Sequence, residues 1–224
     1  MQPRIFLLHA YRFSMAPCEE AFARLFPEAE AIRLLDESLY ADAGSDGTLP
    51  DNIGARLSSL FRHCVVSGAN GIVFTGSTFG PAVEAARGDL AVPLLKADEA
   101  MAEAAVARGK RILLLATAKR AIPVIRRNLE NAARASGIEP ELVEAWVPDA
   151  QAANNAGRAT EHDGLIATAA KTQGAGFDAI VLGQMSMAPA RALMPADVAA
   201  RVLTSPDASA HKMRALLGVG RSVQ

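Results

Sequence analysis

Phe74-Thr75-Gly76-Ser77-Thr78-Phe79-Gly80-Pro81-Ala82 returns 108 residues later as Leu182-Gly183-Gln184-Met185-Ser186-Met187-Ala188-Pro189-Ala190. In both copies an apolar run gives way to a short segment that holds a serine and then a proline, and Gly80-Pro81 in the first copy is an expected helix start. Two further echoes keep the same order. Arg4-Ile5-Phe6-Leu7-Leu8 recurs as Arg111-Ile112-Leu113-Leu114-Leu115 at an offset of 107. Leu95-Lys96-Ala97-Asp98-Glu99-Ala100 recurs as Leu203-Thr204-Ser205-Pro206-Asp207-Ala208 at 108. Ordered repeats at near-constant spacing indicate an internal duplication. The expected lobes are residues 1–110 and 111–224, with the chain end able to cross back to the first.

Short β-type runs fall near 4–9, 30–35, 71–75, 92–95, 111–117, 141–147, 179–183 and 201–204, with helical stretches between them. Alternating strands and helices predict an α/β fold of two pseudo-symmetric, mainly parallel sheets with right-handed crossovers. Parallel strands are buried on both faces and read as continuous apolar runs, as Phe6-Leu7-Leu8, Ile72-Val73-Phe74 and Ile180-Val181-Leu182 do. Ile53, Leu57, Leu60 and Cys64 mark one helical face, with Asp51 as the expected N-cap. Cys18, Phe22 and Leu25 mark another, behind Pro17. Ala41 to Pro50 and Pro148 to Asp163 are rich in small and polar residues and read as surface loops, the first a candidate lid.

The 224 residues are half apolar and carry a formal net charge of −1. That length can bury a substantial core. The charge argues against nucleic acid and against an anionic membrane as partners. Four scattered histidines form no metal-ligand cluster, and no dinucleotide fingerprint occurs, so neither a metal nor another cofactor is expected. Two cysteines give no disulfide framework. Ile5 to Leu8 is too short for a signal-peptide core, and no run approaches a membrane span. A cytoplasmic protein is the expectation.

In open α/β sheets ligands bind beyond the carboxyl ends of the strands. Two duplicated halves are expected to bring those ends to a shared cleft. The first half supplies His9, Tyr11, Arg12 and Ser14, then Gly76, Ser77 and Thr78. The second supplies Thr117 and Lys119, then Gln184, Met185 and Ser186. Hydroxyls and free amides at a helix start suit a carboxylate, although Ser and Thr are also ordinary helix caps. Lys96 is a further candidate for the cleft. Asp36 and Asp42 flank the candidate lid, where a solvated charge is the default.

The segments Asn70 to Pro81 and Asp178 to Met187, with the opening His9-Ala10-Tyr11-Arg12-Phe13-Ser14, resemble the aspartate/glutamate/hydantoin racemase superfamily. Arylmalonate decarboxylase and maleate isomerase share that fold. The resemblance implies a cofactor-independent racemase, isomerase or decarboxylase acting on a small carboxylate, and is compatible with a homodimer. It also implies two catalytic cysteines, one after each repeated strand, that exchange a proton on opposite faces of one carbon. Here Gly76 and Gln184 stand at those positions. Glycine carries no acid or base, and a glutamine amide does not titrate. Cys18 and Cys64 lie on apolar stripes, where thiols are buried and inert. His9 and Lys119 are the candidate replacement bases. The leading expectation is therefore an enzyme of this type with altered chemistry, and the alternative is a carboxylate-binding protein without turnover, including one inactivated at position 76.

Overall fold

The structure is a computed structural model, and it describes residues 2–44 and 48–220. Its described residues form eight strands: β1 (Arg4–His9), β2 (Glu30–Leu35), β3 (Gly71–Phe74), β4 (Leu94–Lys96), β5 (Arg111–Ala116), β6 (Glu141–Trp146), β7 (Ala179–Leu182) and β8 (Val202–Thr204). The helices are α1 (Met15–Leu25), α2 (Ser38–Asp42), α3 (Ile53–Val66), α4 (Gly80–Arg87), α5 (Glu99–Arg108), α6 (Ile122–Ala135), α7 (Pro148–Asn155), α8 (Ala159–Gln173), α9 (Ala196–Ala199) and α10 (Ser205–Leu216). All pairings are parallel. One sheet has the order β2-β1-β3-β4 and the other β6-β5-β7-β8, so the second repeats the first.

The duplication extends to single side chains. Arg4 opens β1 and Arg111 opens β5, each opposite a glutamate in register, Glu30 and Glu141. Arg4 Nε donates to Glu30 at 2.8 Å, and Arg111 Nε to Glu141 at 3.1 Å. The backbone N–H of Arg4 donates to Asn70 Oδ1, and that of Arg111 to Asp178 Oδ2. The guanidinium Nη1 of each also reaches a carbonyl, of Ser67 in one half and Gly176 in the other. The same clamp thus closes the amino ends of the central strands twice.

Two compact units result: Met1–Ala97 with Ser209–Gln224, and Asp98–Ala208. The division falls at 97/98 rather than 110/111 because α5 packs on α6 and β7. The chain from Ser209 onward joins the first unit, where the thioether of Met213 occupies the space above Gly71 and beside Ile5. In the first unit Phe6, Leu8, Ile72 and Phe74 pack with Leu57, Phe61 and Cys64 of α3 and Val83 of α4. In the second, Ile112, Leu114 and Val181 meet α5 and α6, while Leu113, Leu115, Ile180 and Leu182 meet α8. Strand alternation splits each apolar run between two covered faces.

Three local expectations need correction. The buried stripe of α3 is Ile53, Leu57, Phe61 and Cys64, with Leu60 half-buried. The residue before α3 is Asn52 rather than Asp51, and its side chain makes no capping bond. Pro148 to Asp163 is not a loop: it holds α7 and the start of α8, because Ala150 and Ala153 are buried on one helical side. Gly157, at a φ of 73°, makes the break between those helices. Of the candidate lid, residues 45–47 lie outside the described residues, and the part up to Asp42 is helical. Among the described residues no helix is long and apolar enough to cross a membrane.

Candidate functional site

Beyond β1 and β3 of the first unit lies a buried polar triangle. His9 Nδ1 is 2.8 Å from Ser14 Oγ and 3.1 Å from Thr75 Oγ1, and the two hydroxyls are 2.8 Å apart. Ser14 also donates to the Tyr11 carbonyl at 2.7 Å. That carbonyl can only accept, so it takes the single Ser14 proton. The short His9–Ser14 contact then requires the proton on Nδ1, with Thr75 donating to Ser14. Nε2 is left with a lone pair, and it is buried without a hydrogen-bond partner among the described residues. Burial pushes the imidazole down from 6.5 to about 4, so His9 is neutral at pH 7.

Gly76 follows Thr75 and is buried. A Cβ at this position would lie 2.7 Å from Phe79 Cδ2 and 2.8 and 2.9 Å from Phe74 Cε1 and Cζ. The space that a side chain would need is filled by two rings in edge-to-face contact, their centroids 5.8 Å apart. Ser77 and Thr78 are half-buried in the 3-10 turn Ser77–Phe79 that leads into α4. Thr78 Oγ1 is 3.4 Å from the Tyr40 hydroxyl. Tyr40 in turn packs edge-on against Phe79 and against Tyr11, with Phe13 beyond. Lys96 is paired with Glu84, and Arg12 with Glu37, whose carboxyl its hydrogen bond holds below the usual range. Arg56 bridges Asp36 and Asp42.

In the second unit Gln184 lies two residues beyond β7 and turns its amide to the end of β5. Its Oε1 accepts the Thr117 N–H at 2.8 Å and the Ala118 N–H at 3.3 Å, and Nε2 donates to Thr117 Oγ1 at 3.0 Å. The Thr117 hydroxyl donates to Gln151 Oε1 at 3.0 Å, and Trp146 Nε1 donates to the Thr117 carbonyl at 2.9 Å. This network consumes the polar groups that end β5. Lys119 is exposed and lies 5.4 Å above the Trp146 ring, a cation–π contact rather than a buried base. Met185 is buried and Ser186 half-buried in the 3-10 segment Met185–Leu193.

The structure therefore unites His9 with Ser14, and Thr117 with Gln184. Thr75, Tyr40, Gln151 and Trp146 were not singled out from sequence. Thr75 had a signal: it precedes Gly76 and, by strand parity, faces away from Phe74. Cys18 and Cys64 are both buried, and burial raises the Cys64 thiol from 9.0 to about 11. Among the described residues no group of three or more His, Cys, Asp or Glu could hold a metal ion.

Two repeated parallel sheets, with polar groups gathered where β1, β3, β5 and β7 give way to helices, define a duplicated α/β protein. The family model of Asp/Glu/Hydantoin racemase matches residues 15–213, and the chain belongs to that family. Solved structures agree in fold. Allantoin racemase from Klebsiella pneumoniae superposes with a TM-score of 0.72 at 18% identity, over 99% of this chain and 90% of that one. An aspartate racemase homologue from Pyrococcus horikoshii OT3 gives 0.68 at 16%, covering 97% and 100%. Glutamate racemase from Thermus thermophilus gives 0.64 at 20%, covering 98% and 82%. No curated protein matches the sequence significantly.

Proposed function

We propose that this member of the family binds a small carboxylate and has given up proton exchange by paired thiols. The observation that carries the reading is the filled space at Gly76, where two buried rings stand within 2.9 Å of any added Cβ. A glycine this well packed belongs to its surroundings, which argues against a simple inactivating replacement. At the other expected thiol position, the Gln184 amide is spent on Thr117 and Ala118. Neither position offers a group that titrates, and both cysteines are buried away from solvent. Ser77 and Thr78 in the turn before α4, with the Tyr40 hydroxyl beside Thr78, supply donors for a carboxylate. A nucleic acid or a bilayer is not the partner under this reading, and the protein works in the cytoplasm.

One observation favours a second reading, an enzyme with altered chemistry: the lone pair on His9 Nε2. A base whose conjugate acid has a pKa of about 4 is weak for removing a proton next to a carboxylate. Binding without turnover is therefore preferred. Calorimetric titration with aspartate, glutamate, malonate and hydantoin, followed by proton NMR of each ligand in heavy water, tests it. Saturable binding that Thr78→Val weakens, with the α-proton signal intact, is the expected result. Disappearance of that signal at catalytic protein concentration overturns the preference and makes His9→Gln the next variant.

A further inference from the structure

The duplication carries one detail across with its signs exchanged. In the first unit Glu19 of α1 is paired with Arg33 of β2 at 3.2 Å. At the matching place in the second unit Arg126 of α6 is paired with Glu144 of β6. Register sets the equivalence, since Glu30 stands opposite Arg4 as Glu141 stands opposite Arg111.

Both strands are long open edges. β2 and β6 are outer strands of six residues, whereas the outer strands at the other ends, β4 and β8, have three. An open edge is a template for another strand, and alternation decides which groups it offers. The N–H groups of Glu30 and Asp36 donate to the Pro3 and His9 carbonyls, so even positions turn to β1. Ala31, Arg33 and Leu35 therefore turn their backbone groups outward. The N–H groups of Glu141 and Val147 donate to Lys110 and Ala116. Leu142, Glu144 and Trp146 are accordingly the outward set of β6. Apolar surface lies along both edges: Leu35, Val143 and Trp146 are 37%, 39% and 49% exposed. Ala31 also lines a groove between α1 and β2, with Ala23 and Ala29. The second unit has Leu142 at the position of Ala31, packed against its core.

We propose that β2 of one copy of this chain pairs antiparallel with β6 of a second copy. The register that sets Arg33 opposite Glu144 also sets Ala31 opposite Trp146 and Leu35 opposite Leu142, outward set against outward set. On the other face Leu34 meets Val143 and Ile32 meets Ala145. The largest exposed ring thus falls at the alanine groove. Charges alternate across the joint, from Glu19 and Arg33 to Glu144 and Arg126 of the second copy. Opposite charges directly across a strand pair stabilise it and like charges oppose it. Either edge paired with itself about its charge would set Arg33 on Arg33 or Glu144 on Glu144, so the two edges select each other. Each copy presents both edges, which makes the contact head-to-tail. It does not depend on which ligand the first unit takes.

Sedimentation of the full chain from micromolar to near-millimolar concentration, read together with the emission of Trp146, its single tryptophan, tests the proposal. The mass is expected to rise above one chain, and emission to move to shorter wavelength in step as the indole is covered. Arg33→Glu and Glu144→Arg should each weaken association roughly tenfold, and the joint variant should recover a large part of it. Each reversal also disturbs its own intrachain pair, but that disturbance persists in the joint variant, so recovery reads the contact between copies. Ala31→Pro removes an outward N–H and leaves the β1 ladder intact, so it should abolish association while circular dichroism stays unchanged. A mass of one chain at every concentration overturns the proposal. So does association without an emission shift, association that survives Ala31→Pro, or a joint variant no tighter than the single ones.

Discussion

Replacing Gly76 by alanine decides whether the first expected thiol position is truly closed. Its φ of −104° suits any residue, so no backbone strain enters. A Gly→Ala change in open space stabilises by about 0.4–1 kcal/mol through the unfolded chain. Here the new methyl would meet Phe79 and Phe74 at 2.7–2.9 Å, inside van der Waals contact. Overpacking of a well-filled core costs about 1–3 kcal/mol. The net expectation is a loss of about 1 kcal/mol, or roughly 2–4 °C in Tm for a chain of this size. Gly164, inside α8 with nothing within 4 Å of an added Cβ, is the control and should gain up to about 1 kcal/mol on the same change. Urea titrations of both variants give the two signs. Pairing Gly76→Ala with Phe79→Leu should recover part of the loss, a coupling that a double-mutant cycle isolates. If Gly76→Ala gains stability as Gly164→Ala does, the rings yield freely, and the claim that packing has closed the position is refuted.

Three other outcomes follow from the site. Gln184→Ala strips the Thr117 and Ala118 N–H groups of their acceptor and should cost about 1–3 kcal/mol in a urea melt, whereas Gln184→Glu keeps an acceptor oxygen and should cost less. His9 has a folded pKa of about 4 against 6.5 unfolded, so the unfolded chain binds more protons between those values. The His9 contribution to stability should fall as pH drops from 6.5 towards 4, by about 3 kcal/mol in all, and then level off. His9→Gln should lack that slope, and parallel curves for the two proteins would exclude His9 as its source. The buried thiols of Cys18 and Cys64 should resist a disulfide reagent until the chain unfolds, and rapid labelling of either in the native protein would contradict their burial.

The duplication and the parallel strands were legible in sequence, as was the plain fact that Gly76 and Gln184 carry no titrating side chain. They depend on order, period and residue type, which a linear reading preserves. Missing was what fills the gaps. Phe74 and Phe79 are five residues apart across a strand-to-turn junction, and no periodicity predicts that both rings fold over Gly76. Gln184 read as a mere absence of thiol, yet its amide joins two strand ends that lie 67 residues apart in sequence. Lys119 was placed correctly at a strand end but as a candidate base, while the structure lays it over Trp146, a residue with no signal of its own. Pro148 to Asp163 misled because its alanines looked merely small, although alanine is the strongest helix former.

The paired arginine clamps have a consequence for engineering. Since Arg4 and Arg111 tie down equivalent strand origins with equivalent partners, each half keeps its own foundation independent of what caps the opposite rim. Rim segments such as 75–79 and 183–187 are thus natural units for transplantation, to be swapped like interchangeable heads on a common handle.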